Sequence, residues 1–280
     1  MPRVHVIIAA GGSVYLAAMA VLAITKAPLG TLTFFACAIV AIAAFAALLT
    51  AIWRGSAGGR RLFLIAILFA IAFRVPLAVS PVGHDNDMIR YVWDGRVQKL
   101  GINPYAVRPA DPEVAFTHTD ETRNMPSARA RTPYPPAAQI FFRFVVTIHD
   151  SALAMKLALV ACDLLTMLVL WRWLVVTGRN EWLTLAYAWN PLVVLEVAHS
   201  GHIDALGALW TVTAAFWLSR RKTGLATIAF VLAVATKLLP IVLAPLLWRR
   251  ITLRDAFIGA GLFVLLYLPF ASGTDVLYGV

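Results

Sequence analysis

Long apolar runs are the feature that most constrains how this chain can fold. A helix needs roughly 20 apolar residues to cross about 30 Å of hydrocarbon. Of the residues in the chain, 61% are apolar and 14% are charged, against roughly a quarter charged in soluble domains. The sequence therefore predicts an all-α fold, a polytopic transmembrane helical bundle. Apolar runs of about the required length lie at residues 4–24, 31–52, 62–80, 153–175, 181–199, 203–219 and 254–272.

The short loops between these runs differ in their basic residues. Lys and Arg concentrate in cytoplasmic loops of membrane proteins, so the pattern predicts a cytoplasmic N-terminus. It divides the chain into three N-terminal spans (1–80), an extracytoplasmic loop (81–152) and the remaining spans (153–280). The net charge of +10 then reflects loop topology and contact with membrane lipid, and we expect no nucleic-acid partner. The basic loop residues are Arg54, Arg60, Arg61, Arg172, Arg179, Arg220, Arg221 and Lys222.

The stretch 223–248 does not fit this topology as a single crossing. It carries Lys237 and Pro240 near its middle, and a crossing would place the arginines after it on the outer face. Two half-length helices that enter and leave on the cytoplasmic side remove both problems, because irregular backbone is tolerated where it lines a cavity. The alternative is one Pro-kinked helix. We favour a broken helix near 237–240.

The segment 81–152 is the polar part of the chain. Within it, residues 86–100 have helical period: Asp87, Arg90, Tyr91 and Asp94 share one face, and apolar residues fill the other. Such a helix is expected to lie flat on the outer leaflet with its polar face turned inward. A simpler interpretation makes one of the first acids a helix cap.

Two further polar sets stand out. Glu196, His199, His202 and Asp204 surround the turn between two predicted spans, where they are either site residues or helix caps and interfacial groups. Arg74, Asp163 and Lys237 lie inside apolar segments, where charged side chains are costly and usually face the protein interior. They are either an internal ion pair or, for Lys237 above all, part of a cationic pocket for an anionic headgroup.

Several motifs resemble a known group of enzymes. The string Asp87-Met88-Ile89-Arg90-Tyr91-Val92-Trp93-Asp94-Gly95-Arg96-Val97-Gln98, followed by Gly101-Ile102-Asn103-Pro104-Tyr105, is similar to the first external loop of bacterial GT-C glycosyltransferases. The polyprenol-phosphate-mannose-dependent mannosyltransferases match best. Later motifs resemble that group in the expected order, and they are Tyr134-Pro135-Pro136-Ala137-Ala138-Gln139, Asn190-Pro191, Gly201-His202-Ile203-Asp204 and Lys237-Leu238-Leu239-Pro240.

The resemblance implies a glycosyltransferase of the bacterial cytoplasmic membrane with its site on the outer face. It would move a hexose, most often mannose, from a polyprenyl-phosphate sugar donor to a glycan or glycolipid acceptor. Asp87 matches the catalytic aspartate, and Asp85 is a second candidate because the group often carries adjacent acids. The resemblance does not decide whether a divalent cation takes part in the reaction. Members of this group usually have further spans beyond the point where this chain ends. The expected substrate-binding residues are Arg74, Arg90, Tyr91, Asp94, Tyr134, His199, His202, Asp204 and Lys237.

Two other functional classes are compatible with buried charges and a broken helix. One is a flippase or transporter of lipid-linked substrates, which would not need an acidic helix in a Pro-rich loop. The other is a non-catalytic scaffold subunit with the same fold, which could lose the acids that this chain retains.

Overall fold

The computed structural model describes residues 4–55, 58–81 and 87–271. These residues form helices and turns, without strands, so the predicted all-α fold is confirmed. In chain order the main helices are α1 (Val4–Thr25), α2 (Leu32–Trp53), α3 (Arg60–Val79), α4 (Asp87–Lys99), α5 (Pro136–Ile148), α6 (Ala152–Val176), α7 (Asp204–Ser219), α8 (Thr223–Thr236) and α9 (Leu253–Tyr267).

Five of the described helical segments are long and apolar enough to cross a membrane. The predicted spans at 181–199 and 203–219 are not among them. The second forms α7, which has 16 residues, fewer than a crossing requires. The five segments are Val4–Thr25, Leu32–Trp53, Arg60–Val79, Ala152–Val176 and Leu253–Phe270.

The predicted span 181–199 is wrong as a single helix. It consists of short pieces: Glu181–Thr184, Leu185–Ala188, Pro191–Val194 and Leu195–His199. The interruption has a local cause, because proline lacks a backbone N–H and disfavours helix in the residue before it. The side chain of that residue, Asn190, accepts a hydrogen bond from the Leu192 N–H at 3.0 Å and so caps the start of the next short helix, Pro191–Val194.

The chain divides into two compact units. One comprises Met1–Pro81 and Leu170–Ser200, and the other comprises Val82–Val169 and Gly201–Val280. In the first unit, the ring of Tyr15 stacks on Phe73 with centroids 3.9 Å apart. The Trp189 indole packs edge-on against both rings and donates to the Ala66 carbonyl at 2.8 Å. This aromatic core anchors the interrupted 181–199 segment.

In the second unit, α4 packs closely on α5. A Cβ at Gly95 would lie 2.6 Å from the Phe142 carbonyl oxygen, so the contact depends on a residue without a side chain. In the same unit, α7 packs on α8, and α8 packs on α9 and on α5. This unit carries residues 87–152 of the predicted external loop.

The expected position of α4 on the membrane surface is wrong. Every residue from Met88 to Gln98 is buried, so neither face of the helix is exposed. Both faces are covered by protein. On the polar face, Asp94 accepts hydrogen bonds from Thr132 and from Gln139 of α5, and residues outside that face also have partners. The Trp93 indole donates to Thr117 at 2.8 Å, and Arg96 forms a bidentate ion pair with Asp150 at 2.7 Å for each bond.

Candidate functional site

Asp87 is the first residue of α4 and its side chain is exposed. A carboxylate in the first turn is stabilised by the helix dipole, and the eleven buried residues that follow, Met88 to Gln98, hold the helix in place. The carboxylate is therefore accessible to a substrate while its helix is fixed. Asp85, the other predicted catalytic acid, lies outside the described residues.

Tyr91 follows Asp87 by one helical turn and is buried. Its ring stacks on Phe142 with centroids 4.6 Å apart and an interplanar angle of 5°, and it meets the ring of Tyr134 edge-on at 4.9 Å. Its hydroxyl oxygen accepts a hydrogen bond from the Ile203 N–H at 3.4 Å. Two predicted binding residues, Tyr91 and Tyr134, therefore form one rigid aromatic wall.

Electrostatics connect this wall to two carboxylates. Burial raises the pKa of Tyr91 and of Tyr134 well above the usual phenol range, and the negative charge of Asp87 raises both pKa values further. Asp204 raises the pKa of Tyr91 as well. Because the shifts are upward, both phenols stay neutral at physiological pH and can act as hydrogen-bond donors. The negative charges of Asp87 and Asp204 thus both raise the pKa of Tyr91.

The turn before α7 approaches the start of α4 closely. Gly201 has a φ of +68°, and a Cβ there would lie 2.7 Å from the Met88 sulfur. Glycine meets both requirements, since it adopts positive φ at little cost and leaves room for the neighbour. The turn then presents the Ile203 N–H to Tyr91 and starts α7 at Asp204, with the half-buried His202 between.

Lys237 lies where the backbone leaves helical geometry. Helix α8 ends at Thr236, Lys237 is extended with φ −153° and ψ 136°, and a 3-10 helix begins at Leu239. The ammonium nitrogen lies 2.6 Å from Oδ1 of Asp204, and each side chain is about half exposed (47% and 51%). The sequence analysis placed these two residues in separate sets, but they form an exposed ion pair.

Arg90 and Asp94 form a buried polar network instead of an open surface. The carboxylate of Asp94 is fully buried and accepts bonds from Arg90 at 2.7 Å, from Thr132 at 2.6 Å and from Gln139 at 2.8 Å. Arg90 also donates to the Ala130 carbonyl at 3.0 Å. The expectation that Asp94 contacts substrate has no support in this geometry, because its oxygens are enclosed by protein donors. Thr132 and Gln139 complete the network; the sequence analysis missed Thr132 and noted Gln139 only as part of a motif, without a role.

Arg74 and His199 belong to the other unit. Arg74 is buried, and its Nη1 donates to the carbonyls of Ala70 at 2.6 Å and Ala188 at 2.9 Å. The ring of His199 packs edge-on against Phe34 with centroids 5.7 Å apart. Both have structural contacts within their own unit. The second unit brings together Asp87, Tyr91, Tyr134, Asp204 and Lys237, which we call the Asp87–Lys237 cluster.

Among the described residues, no three His, Cys, Asp or Glu side chains are grouped so that they could bind a metal ion. The Asp87–Lys237 cluster instead combines an exposed carboxylate, neutral phenols and an exposed ammonium. Such a set can accept a proton and stabilise an anion.

Comparison with known proteins identifies the group to which this chain belongs. A model of the alpha-(1->6)-mannopyranosyltransferase family, N-terminal domain, matches residues 6–251. No curated protein and no solved structure matches the chain. The matched region covers most of the chain and includes every residue of the Asp87–Lys237 cluster. The chain is therefore a multi-pass membrane protein that belongs to the alpha-(1->6)-mannopyranosyltransferase family, a GT-C type family of mannosyltransferases.

Proposed function

We propose that this chain transfers mannose from a polyprenyl-phosphate donor to a hydroxyl group of a lipid-linked or cell-envelope glycan. The reaction would take place on the outer face of the bacterial cytoplasmic membrane, with Asp87 as the general base. The observation that carries the proposal is the hydrogen bond from the Ile203 N–H to the Tyr91 hydroxyl, which joins the helix that begins with Asp87 to the turn where Asp204 pairs with Lys237. A base and a cation are the two groups that this chemistry needs.

The reaction makes one bond and breaks one. The acceptor oxygen attacks the anomeric carbon of mannose, and the bond from that carbon to the phosphate oxygen breaks, releasing the lipid phosphate. The acceptor hydroxyl loses its proton as its oxygen bonds to carbon, and an accessible carboxylate such as Asp87 can take it. The buried backbone of α4 fixes the position of this carboxylate before the acceptor binds.

The departing phosphate gains negative charge as its bond to the sugar breaks. A cation fixed nearby stabilises this charge more in the transition state than in the ground state, and so accelerates the reaction. Lys237 suits this role because an ammonium group has several N–H donors, of which Asp204 engages one. Asp204 would hold the ammonium in place while its other donors face the phosphate. The neutral hydroxyl of the half-buried Tyr134 can orient the sugar, while the buried Tyr91 supports the Tyr134 ring.

We expect Lys237→Ala to lower mannosyl transfer by roughly 10- to 100-fold, the range for losing a hydrogen bond to a charged group. Lys237→Arg should retain part of the activity, since the cation is kept. Transfer would be measured in membranes with a panel of polyprenyl-phosphate sugars, at equal protein level. Lys99→Ala is the matched control, because Lys99 is an exposed lysine of the same unit outside the cluster. If Lys237→Ala lowers only the protein level, the lysine merely forms a structural ion pair with Asp204.

The proposed orientation has its own test. Cysteines introduced at Asp120 and Gly58, both exposed, should label differently in intact cells. A membrane-impermeant maleimide should reach position 120 and not position 58. The native Cys37 and Cys162 are buried, so they give little background. The reverse labelling pattern would put the Asp87–Lys237 cluster on the wrong side for an extracytoplasmic donor.

A further inference from the structure

Helix α5 carries an apolar stripe that no described part of its own unit covers. Ile140, Phe144 and Ile148 recur every four residues and are 38%, 62% and 71% exposed. With 13 residues the helix is about 20 Å long at 1.5 Å per residue, too short to span a bilayer. A short helix with one apolar side is suited to lie in the membrane interface. Helix α5 therefore has the surface character that the sequence had suggested for α4.

A groove of about 530 Å³ opens beside this stripe. Its walls come from α5, from the turn after α4 and from the end of the α9 segment. Most of the lining is apolar, with a few polar groups and one cation. Residues that define it are Ile102, Pro104, Ile140, Arg143, Phe144 and Phe270.

The groove lies at the end of a segment long enough to cross the membrane. Leu253–Phe270 is such a segment, and its last residue lines the groove. The Asn103 side chain donates to the Phe270 carbonyl at 3.0 Å, and the Tyr105 ring packs edge-on against the Phe270 ring at 5.3 Å. These contacts fix the groove at the level where a membrane-crossing helix ends, which is where lipid headgroups lie.

The charge in the groove favours an anion. Arg143 is exposed, its guanidinium makes no hydrogen bond or ion pair within the described part of the chain, and none of the described lining residues is acidic. An arginine in such a setting matches a phosphate in charge and in hydrogen-bond geometry. The groove is also separate from the Asp87–Lys237 cluster, because it adjoins the C-terminal end of α4, about 18 Å along the helix from Asp87.

We infer that this groove binds an anionic phospholipid of the bilayer. The lipid phosphate contacts Arg143, and an acyl chain lies along Ile140, Phe144 and Phe270. Helix α5 supports the Asp94 network through Gln139, so the lipid would anchor the helix on which that network depends.

Lipid binding to the purified full chain tests the inference. The protein in a neutral detergent is titrated with dioleoylphosphatidylglycerol or dioleoylphosphatidylcholine, and bound lipid is counted by native mass spectrometry. We expect the anionic dioleoylphosphatidylglycerol to bind more tightly than the zwitterionic dioleoylphosphatidylcholine. Arg143→Gln should weaken the binding of dioleoylphosphatidylglycerol by about tenfold or more, the effect of losing a charge-assisted hydrogen bond. The affinities for the two lipids should then be similar. Arg143→Lys should retain part of the preference.

Arg108→Gln is the matched control, because Arg108 is an exposed arginine of the same unit that does not line the groove. It should leave the binding of both lipids unchanged. Phe144→Ala should weaken the binding of both lipids without changing the ratio of their affinities. Because Phe144 is exposed, this substitution should leave the fold intact. Equal affinity for the two lipids in the unaltered chain, or equal losses in Arg143→Gln and Arg108→Gln, would overturn the inference. Binding of a polyprenyl phosphate that is tighter than that of dioleoylphosphatidylglycerol and lost in Arg143→Gln would also overturn it, since that would assign the groove to a donor lipid.

Discussion

Replacing Asp87 with asparagine should lower the rate of mannosyl transfer by roughly 10²- to 10⁴-fold, the usual contribution of a general acid or base. The amide keeps the size of the carboxylate but cannot take the proton from the acceptor hydroxyl. Because the Asp87 side chain is exposed, stability should change little, by about 0.5 kcal/mol or less as at other surface positions. Transfer from polyprenyl-phosphate mannose in membranes and thermal stability in detergent would be measured on the same preparation.

Asp120→Asn controls for the loss of a negative charge, since Asp120 is a fully exposed aspartate of the same unit outside the cluster. It should transfer mannose at the unaltered rate. Unchanged transfer by Asp87→Asn would remove Asp87 from the mechanism. A chain that translocates lipid-linked sugar but never forms a glycosidic bond would be a flippase, and a chain inactive in both assays would be a scaffold. Each of these outcomes contradicts the proposed function.

The ends of α4 could be predicted from the sequence because the signals are local. An acidic residue favours the start of a helix, and Gly101 is suited to the left-handed position just after its end. The structure has Gly101 at φ +81°, with its N–H on the Gln98 carbonyl at 3.0 Å and the Ile102 N–H on the Val97 carbonyl at 2.9 Å. Neighbouring residues alone fix this geometry, so no tertiary information is needed.

The surroundings of α4 could not be predicted in the same way. A two-faced helix pattern says that the faces differ, but it does not say what covers each of them. The loop 101–135 covers both faces, because Thr132 reaches Asp94 across 38 residues and Thr117 reaches Trp93 across 24 residues. Such partners depend on the path of a Pro-rich loop, which has no periodic pattern to follow.

The ion pair between Asp204 and Lys237 could not be predicted from the sequence either. Asp204 and Lys237 are 33 residues apart, and they meet because α7 and α8 pack together with the start of one near the end of the other. The sequence does show that Lys237 needs an anionic partner, since a lysine in an apolar segment is costly without one. It offers several acids for the role, and only the packing selects Asp204.

Asp94→Ala should destabilise the protein strongly, by about 3–5 kcal/mol, the cost of removing one partner from a buried ion pair. Without this carboxylate, Arg90 remains buried with an uncompensated charge, while Thr132 and Gln139 lose an acceptor. The thermal unfolding midpoint in detergent should fall accordingly. The fall in transfer activity should follow the loss of folded protein, unlike that of Asp87→Asn.

A double-mutant cycle separates the structural role of Asp94 from substrate binding. Arg90→Met should also destabilise the protein, and the Arg90→Met, Asp94→Ala double variant should be less destabilised than the sum of the two, because the unpaired charge is then absent. If Asp94 instead contacts the sugar, Asp94→Ala would keep its melting temperature and raise the KM for the donor. That result would mean that the network opens when substrate binds, whereas in the structure three protein donors already occupy the Asp94 carboxylate.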